Sequence, residues 1–241
     1  MNDIYLNPDL YDALHNHIGT DENVIKYYAK KCNGPVLEIA CGTGRLSKYI
    51  IDLGLPYTGI DNSKPFLKVS IEKFGENGTF LYQDMQSFQL TKKFDFIFIG
   101  FNSFLHNLTD QEALSCLKSV RNHLNSGGLF LLSIFIPDPE FLYKDEYLHQ
   151  ARTLFNYKGK KCKVIEQNSY DDESQINSLT WQLEMDGNLS NEIYTFKQRM
   201  FYPHKMHLLL QESGLSVQKK FGDWDMNPMD EESPLQIYIC K

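Results

Sequence analysis

The sequence predicts an α/β fold: a doubly wound, mostly parallel sheet with a small antiparallel β-sheet inserted into it. Three observations carry this. Short apolar runs such as "VLEIAC", "FDFIFIG" and "GLFLLSIF" alternate with segments of helical period, the order that builds a parallel sheet covered by helices. These runs are continuously apolar, as strands buried on both faces must be. After Phe135 the rhythm changes to stretches of alternating polarity joined by the turns "DDES" and "DGNLS", the pattern of an antiparallel meander.

Taken in order, "ENVIKYYAKKC" has a helical period and "VLEIAC" reads as the first buried strand. "RLSKYIIDLG" is a helix stopped by Gly54, and "YTGID" is the second strand. "SKPFLKVSIEKFG" is a helix with Ser63 as N-cap, followed by the strands "TFLYQD" and "FDFIFIG". "TDQEALSCLKSVRNHL" is a helix capped by Thr109, and "GLFLLSIF" is the next strand. The inserted strands are "ARTLFNY", "CKVIEQNSYD", "INSLTWQLEM" and "NEIYTFKQRMFY". A helix "PHKMHLLLQESG" opened by Pro203, the strand "LSVQKKFGD", the loop "WDMNPMDEESP" and the strand "LQIYIC" close the chain.

With 241 residues, 42% of them hydrophobic, the chain can bury the core of one domain. It divides into an N-terminal cap over 1–35, a core over 36–136, an inserted lid over 151–202 and a completion of the core sheet over 203–241. No repeat or low-complexity linker marks a second unit.

The formal net charge of −7 and the scatter of Lys and Arg argue against a general nucleic-acid binder. A local patch, Lys158 to Lys163, reads as a solvated strand end or as a small anion contact. Five cysteines without a CxxC spacing form neither a disulfide framework nor a zinc knuckle, which fits a reducing cytoplasm. No apolar run approaches the roughly 18 residues of a membrane span. The expectation is therefore a cytoplasmic protein with a small-molecule partner.

The chemistry concentrates in "VLEIACGTGRLSKYI", Val36 to Ile50. A strand ending at Cys41 and a helix starting near Arg45 put Gly42 and Gly44 in the turn at the carboxyl edge of the sheet, where ligands of open α/β sheets bind. Glycine lets a ligand lie against the main chain, although it also closes such turns for geometry alone. Asp61 ends the second strand 19 residues after Gly42, near the spacing at which a carboxylate reaches ribose hydroxyls. Asp84, in "YQDMQ", ends the third strand with a carboxylate and an apolar neighbour, suited to an adenine amino group and its ring. Ser47 occupies the place of the third glycine of a dinucleotide fingerprint, and no GxxxxGK[ST] is present. Glu38, inside the first strand, would repel a pyrophosphate and welcome a cation.

Together "VLEIACGTGRL", "GIDNS", "YQDMQSF", "FDFIFIGFNSFLHNL" and "LKSVRNHLNSGGLFLLSIF" resemble the ordered motifs of class I S-adenosylmethionine-dependent methyltransferases, from Val36 to Phe135 and again in the last strands. The resemblance implies a seven-stranded sheet with its last strand antiparallel. It also implies S-adenosylmethionine as cofactor and S-adenosylhomocysteine as product. Carried over, Glu38 lies near the amino acid end of the cofactor and Gly42 and Gly44 approach it. Asp61 binds ribose, and Asp84 with Met85 holds adenine. Ala40, Arg45, Asn62 and Gly100 flank these positions and complete the implied cofactor set.

Methyl transfer from a sulfonium needs positioning and exclusion of water, and an amine acceptor must also lose a proton. His106, in "GFNSFLHNLTD" after the fourth strand, is a candidate base or acceptor-orienting group, or else a histidine that only hydrogen-bonds its loop. Phe101, Asn102 and Phe104 would wall an acceptor pocket, unless they belong to the core. Tyr11 in "LYDALHNHI" resembles a tyrosine that covers the cofactor in the small-molecule N-methyltransferase branch, with Tyr5 helping. The inserted sheet resembles the lid of that branch. There Trp181, Tyr194 and Phe196 would face the acceptor, or pack as lid core, or form a homodimer face, and Arg199 would hold an anionic group. The HxH pair His15 and His17, and the pair His204 and His207, lack a third ligand, so no metal is expected. An amine nitrogen is the expected acceptor. O-methylation, modification of a nucleic-acid base, or a catalytically silent interaction module are the alternatives.

Overall fold

A computed structural model describes residues 3–144, 150–151 and 154–241. The first strand β1 (Val36–Ile39) is followed by β2 (Tyr57–Asp61), β3 (Thr79–Tyr82), β4 (Phe94–Ile99) and β5 (Leu124–Phe135). With β11 (Val217–Phe221) and β12 (Leu235–Cys240) they make one sheet of order β11-β12-β5-β4-β1-β2-β3. The pairs β3-β2, β2-β1, β1-β4 and β4-β5 are parallel, whereas β12 runs antiparallel to both neighbours. This is the doubly wound, seven-stranded sheet expected, with the last strand reversed. The chain leaves β1 towards β2 on one side and later enters β4 on the other, so the sheet's crevice opens at the carboxyl ends of β1 and β4.

The helices around it are α2 (Glu22–Cys32), α3 (Ser47–Ile51), α4 (Lys64–Phe74), α5 (Asp110–His123) and α7 (Pro203–Glu212). Their ends are written in the sequence. Ser63 accepts from the Phe66 N–H, and Thr109 with Glu112 forms a reciprocal capping box. Alternate residues of β5 face opposite cores. Phe130, Leu132 and Ile134 pack with α5 and α7, while Leu129 and Leu131 pack with α2 and α3.

The insertion comprises β8 (Lys160–Asp171), β9 (Ile176–Met185) and β10 (Asn188–Arg199), antiparallel in sequence order, with β6 (Gln150–Ala151) and β7 (Phe155–Tyr157) both pairing β8. The expected strand "ARTLFNY" lies partly outside the described residues. Two helices carried no clear signal: α1 (Pro8–His15), capped by Asn7, and the single turn α6 (Pro139–Leu142). Ile4, Leu10 and Leu14 of the N-terminal segment bury against Tyr157, Val164, Trp181, Leu183 and Tyr194 of the insertion. Full burial of each aliphatic side chain contributes about 1.5–3 kcal/mol, so this third cluster joins cap and insertion firmly. Among the described residues no helix is long and apolar enough to cross a membrane.

Candidate active site

A cavity of about 660 Å³ occupies the crevice. Its near half is built by the strand tips, from Ala40 and Gly42 after β1, Asp61, Asn62 and Ser63 at the end of β2, and Met85 after β3. Its far half is built by Phe101, Asn102, Ser103 and His106 after β4, Phe135 at the end of β5, and Leu179, Trp181, Phe196 and Gln198 of the insertion. Tyr5, Tyr11, His15 and Ile18 of the cap close the side between them. A second hollow, about 570 Å³, lies around Tyr28, Cys32, Asp95 and Gly127, and none of the candidate cofactor or acceptor residues lines it.

In the near half the Asp61 carboxylate accepts the Gly42 N–H at 2.8 Å and the Ser63 N–H at 2.7 Å. Burial raises its pKa, opposed by the backbone bonds from Ser63, Gly42 and Asn62. The bonds from Gly42 and Ser63, one to each oxygen, fix the carboxylate beside the glycine turn. Ala40 and Gly42 both have left-handed φ, +58° and +56°, which turns the main chain away from the strand direction and opens the cavity wall. Gly44 serves a different purpose. A Cβ there would come within 2.8 Å of the Phe74 ring, so this glycine admits α4, and it does not line the cavity.

Glu38 is 2% exposed and stands behind the cavity wall, outside the lining. Its Oε2 accepts from the Tyr57 hydroxyl at 2.7 Å and the Ser47 hydroxyl at 3.0 Å. Burial pushes its pKa up to about 8, against the lowering effect of these two hydrogen bonds and of Arg45. Asp84 is exposed and caps its own turn, accepting the Gln86 N–H at 2.7 Å, while Met85 alone of that pair lines the cavity. Gly100 is buried beneath it, where an added Cβ would meet Leu46 at 2.6 Å.

Arg45 does not line the cavity either. It makes a bidentate pair with buried Asp21, at 3.0 and 2.7 Å, donates to the Ile18 carbonyl at 2.8 Å, and lies 4.4 Å over the Phe101 ring. It thereby ties the cap to the glycine turn. Asp12 of α1 repeats the tie by accepting from the Thr43 hydroxyl and from Lys73, the latter at 2.6 Å, and Ser63 donates to the Tyr5 carbonyl at 2.7 Å.

In the far half, Tyr5 Oη lies 2.8 Å from His106 Nε2. Burial lowers the His106 pKa, opposed by a backbone hydrogen bond to Lys197 and by Asp3, which favours the neutral imidazole. Burial likewise raises the pKa of Tyr5 and Tyr11, keeping both phenols protonated. Tyr11 packs on His15 at 4.3 Å and on Phe66 at 4.9 Å between ring centroids. Trp181 stands edge-on to Phe196 at 4.9 Å and donates its indole N–H to buried Glu166.

Three expected acceptor-pocket residues lie elsewhere, among them Tyr194, which packs between the insertion and the N-terminal cap and accepts from the Asn7 amide at 3.1 Å. Phe104 is fully buried against Phe201, because the 3-10 turn Ser103–His106 turns it inward. Arg199 pairs with Asp110 at 2.6 Å and lies over Phe201, because it ends β10 where α5 begins. Ser103, Phe135 and Gln198 carried no sequence signal for the cavity, though Gln198 shares the strand face of Phe196 two residues before it. His17, His204 and His207 are exposed, and among the described residues no three His, Cys, Asp or Glu gather as a metal site.

A doubly wound sheet with a carboxylate, a glycine turn and an aromatic-walled cavity at its switch point has the layout of a nucleoside-binding α/β fold. Residues 36–128 match the family model described as a methyltransferase domain. The chain also matches an uncharacterized methyltransferase of Geobacillus thermodenitrificans, 29% identical over 126 residues, 52% of this chain and 56% of that protein. It spans 54 to 60% of the length of the curated relatives it matches. Among solved structures it resembles the CcbJ methyltransferase from Streptomyces caelestis, with a TM-score of 0.84 and 20% identity over 99% of this chain and 98% of that one. It also resembles an S-adenosylmethionine-bound amino pentose methyltransferase from Micromonospora echinaspora, with a TM-score of 0.73 and 15% identity over 96% and 97%. The fold of the chain is that of S-adenosylmethionine-dependent methyltransferases.

Proposed function

We propose that this chain transfers a methyl group from S-adenosylmethionine to a small-molecule acceptor, at an amine nitrogen. The observation that carries the reading is the single cavity whose near half offers Asp61 and the Gly42 main chain and whose far half offers His106 among aromatic rings. The near half fits the cofactor: a strand-tip carboxylate for ribose hydroxyls, a turn without a side chain at Gly42, and the Met85 thioether for an adenine ring. Asn62 and Ala40 complete that wall. When bound, the cofactor supplies an electrophilic methyl group. Nitrogen is supported by the shared fold of the sugar N-methyltransferase KedS8 from Streptoalloteichus, with a TM-score of 0.74. The free cysteines support a cytoplasmic setting.

The protein's own part is orientation, dryness and a proton. The cap, tied down by Asp12, Arg45 and Ser63, screens the cavity from water. An ammonium acceptor must surrender a proton before its lone pair can attack. Neutral His106 can take it through Tyr5: the phenol oxygen accepts the amine proton as the phenol proton passes to Nε2 across the 2.8 Å contact. Tyr11 keeps the Tyr5 ring in place from a centroid distance of 6.0 Å.

Calorimetric titration with S-adenosylmethionine and S-adenosylhomocysteine tests the donor half. Binding by wild type and loss in Asp61→Ala, with the variant still folded by circular dichroism, is the expected result. Absence of binding by folded wild type would overturn the reading and favour an interaction module instead.

A further inference from the structure

The reading above leaves the acceptor undefined, and the far half of the cavity restricts it. Among the described residues, the charged side chains lining the cavity are Asp3 and Asp61, both acidic, and neither lysine nor arginine lines it. The two guanidiniums nearest in sequence to its walls are committed elsewhere, Arg45 to Asp21 and Arg199 to Asp110. An acceptor carrying a carboxylate or phosphate would lose its hydration here and gain no counter-charge.

What the far half offers instead is uncharged. Phe101 and Asn102 are consecutive non-glycine residues in the left-handed region, with φ of +53° and +65°. Such strain persists only where the surroundings over-determine it. They do so here, since Asn102 Oδ1 accepts the Phe135 N–H at 2.8 Å while Arg45 lies over the Phe101 ring. With Oδ1 engaged by a backbone donor, the Asn102 amide orientation is settled and Nδ2 is left as a donor at the cavity wall. Ser103, next in the chain, brings a hydroxyl without a partner among the described residues, and so does the Gln198 amide on β10. Gln198 stands opposite Asn177 of β9 in register, so the two share a face, and the Asn177 Oδ1 is buried with no partner, in a residue 1% exposed.

We infer that Asn102, Ser103 and Gln198 bind an uncharged oxygen function of the acceptor, a hydroxyl or carbonyl beside its amine, and that the site rejects acceptors bearing a carboxylate or phosphate there. This rests on the function proposed above. It also suits the chemistry: a neighbouring hydroxyl lowers an amine's basicity and favours the free base, whereas a neighbouring anion holds the proton. Trp181, Phe196 and Phe135 supply the apolar walls for the acceptor's carbon skeleton.

The test uses the full chain saturated with S-adenosylhomocysteine and two probes that differ in one group, 2-aminocyclohexanol and 2-aminocyclohexanecarboxylate, titrated calorimetrically. The alcohol is expected to bind at least tenfold more tightly. Asn102→Asp retains an acceptor for the Phe135 N–H but removes the donor, and should weaken the alcohol at least tenfold with S-adenosylhomocysteine affinity unchanged within twofold. Gln198→Lys should narrow the preference by improving the carboxylate. Equal binding of the two probes, binding of neither, or an Asn102→Asp variant that binds the alcohol as wild type does would overturn the assignment. Failure of S-adenosylhomocysteine itself to bind would be seen first and would remove the donor reading with it.

Discussion

Replacing Glu38 by glutamine should stabilise the protein, and more so as pH rises. The carboxyl is buried and its pKa is pushed up from 4.5 to about 8, while a glutamine oxygen can still accept from Tyr57 and Ser47. Because the folded pKa is raised above the unfolded one, the unfolded chain binds fewer protons between these values, and stability falls as pH rises through that window. Below 4.5 the group costs nothing by this route. At 1.36 kcal/mol per pKa unit, the cost of Glu38 is about 2 kcal/mol at pH 6 and about 4 kcal/mol at pH 8. The stability gap between Glu38→Gln and wild type should therefore widen by about 2 kcal/mol between the two, or roughly 4–8 °C in Tm for a chain of this size. Urea unfolding of both proteins without cofactor at pH 6 and pH 8 measures it, and the double difference cancels every other titrating group. A gap that does not change with pH would refute the argument, since it would mean that Glu38 is already ionised at pH 6 in the folded protein.

Other outcomes follow from contacts described above. Asp61→Ala orphans the Gly42 and Ser63 N–H groups as well as removing the ribose-facing carboxylate, so it should cost about 2–4 kcal/mol in urea melts, with Asp61→Asn costing less. Thr109→Ala breaks the capping box of α5 and should cost about 1 kcal/mol, read as a fall of about 2–4 °C in Tm. His106→Asn should lower kcat by about a hundredfold or more once an acceptor is known, with cofactor affinity retained; Tyr5→Phe should follow it, and a normal rate in Tyr5→Phe would exclude the relay. Gly44→Ala should destabilise the fold through its collision with Phe74 and its φ of +90°, as judged by Tm, before any cofactor is added.

The sheet was legible because its information is local: apolar runs of strand length, caps at Ser63 and Thr109, and glycine at the ends of helices. The near wall was legible for the same reason, since Gly42, Asp61 and Met85 sit at strand tips whose order the motifs preserve. What escaped depends on long-range geometry. Arg199 was placed beside aromatics correctly, but they are Phe201 and its surroundings, and only the packing of α5 shows that Asp110 takes the guanidinium. Phe104 and Phe101 are three residues apart in one loop, and the left-handed turn at Phe101 and Asn102 decides which of them faces the cavity. Asn102 tolerates such a φ, but nothing in "GFNS" announces that Phe101 adopts one as well. The short helix α1 has only two leucines for a core-facing stripe, and it forms because Leu10 and Leu14 find a partner surface on the distant insertion.

The collision that excludes a side chain at Gly44 bears on how such motifs are used as signatures. A glycine required by the Phe74 ring would be required equally in a relative that had lost all activity, because the helix must still dock against the turn. Its presence testifies to architecture and cannot separate working enzymes from retired ones. Gly42 differs, since an added Cβ would meet only Phe66 at an ordinary 3.6 Å and the demand there comes from backbone angle and the open cavity. When sequences of this kind are sorted, the informative comparison is the first glycine together with Asp61, both of which line the cavity.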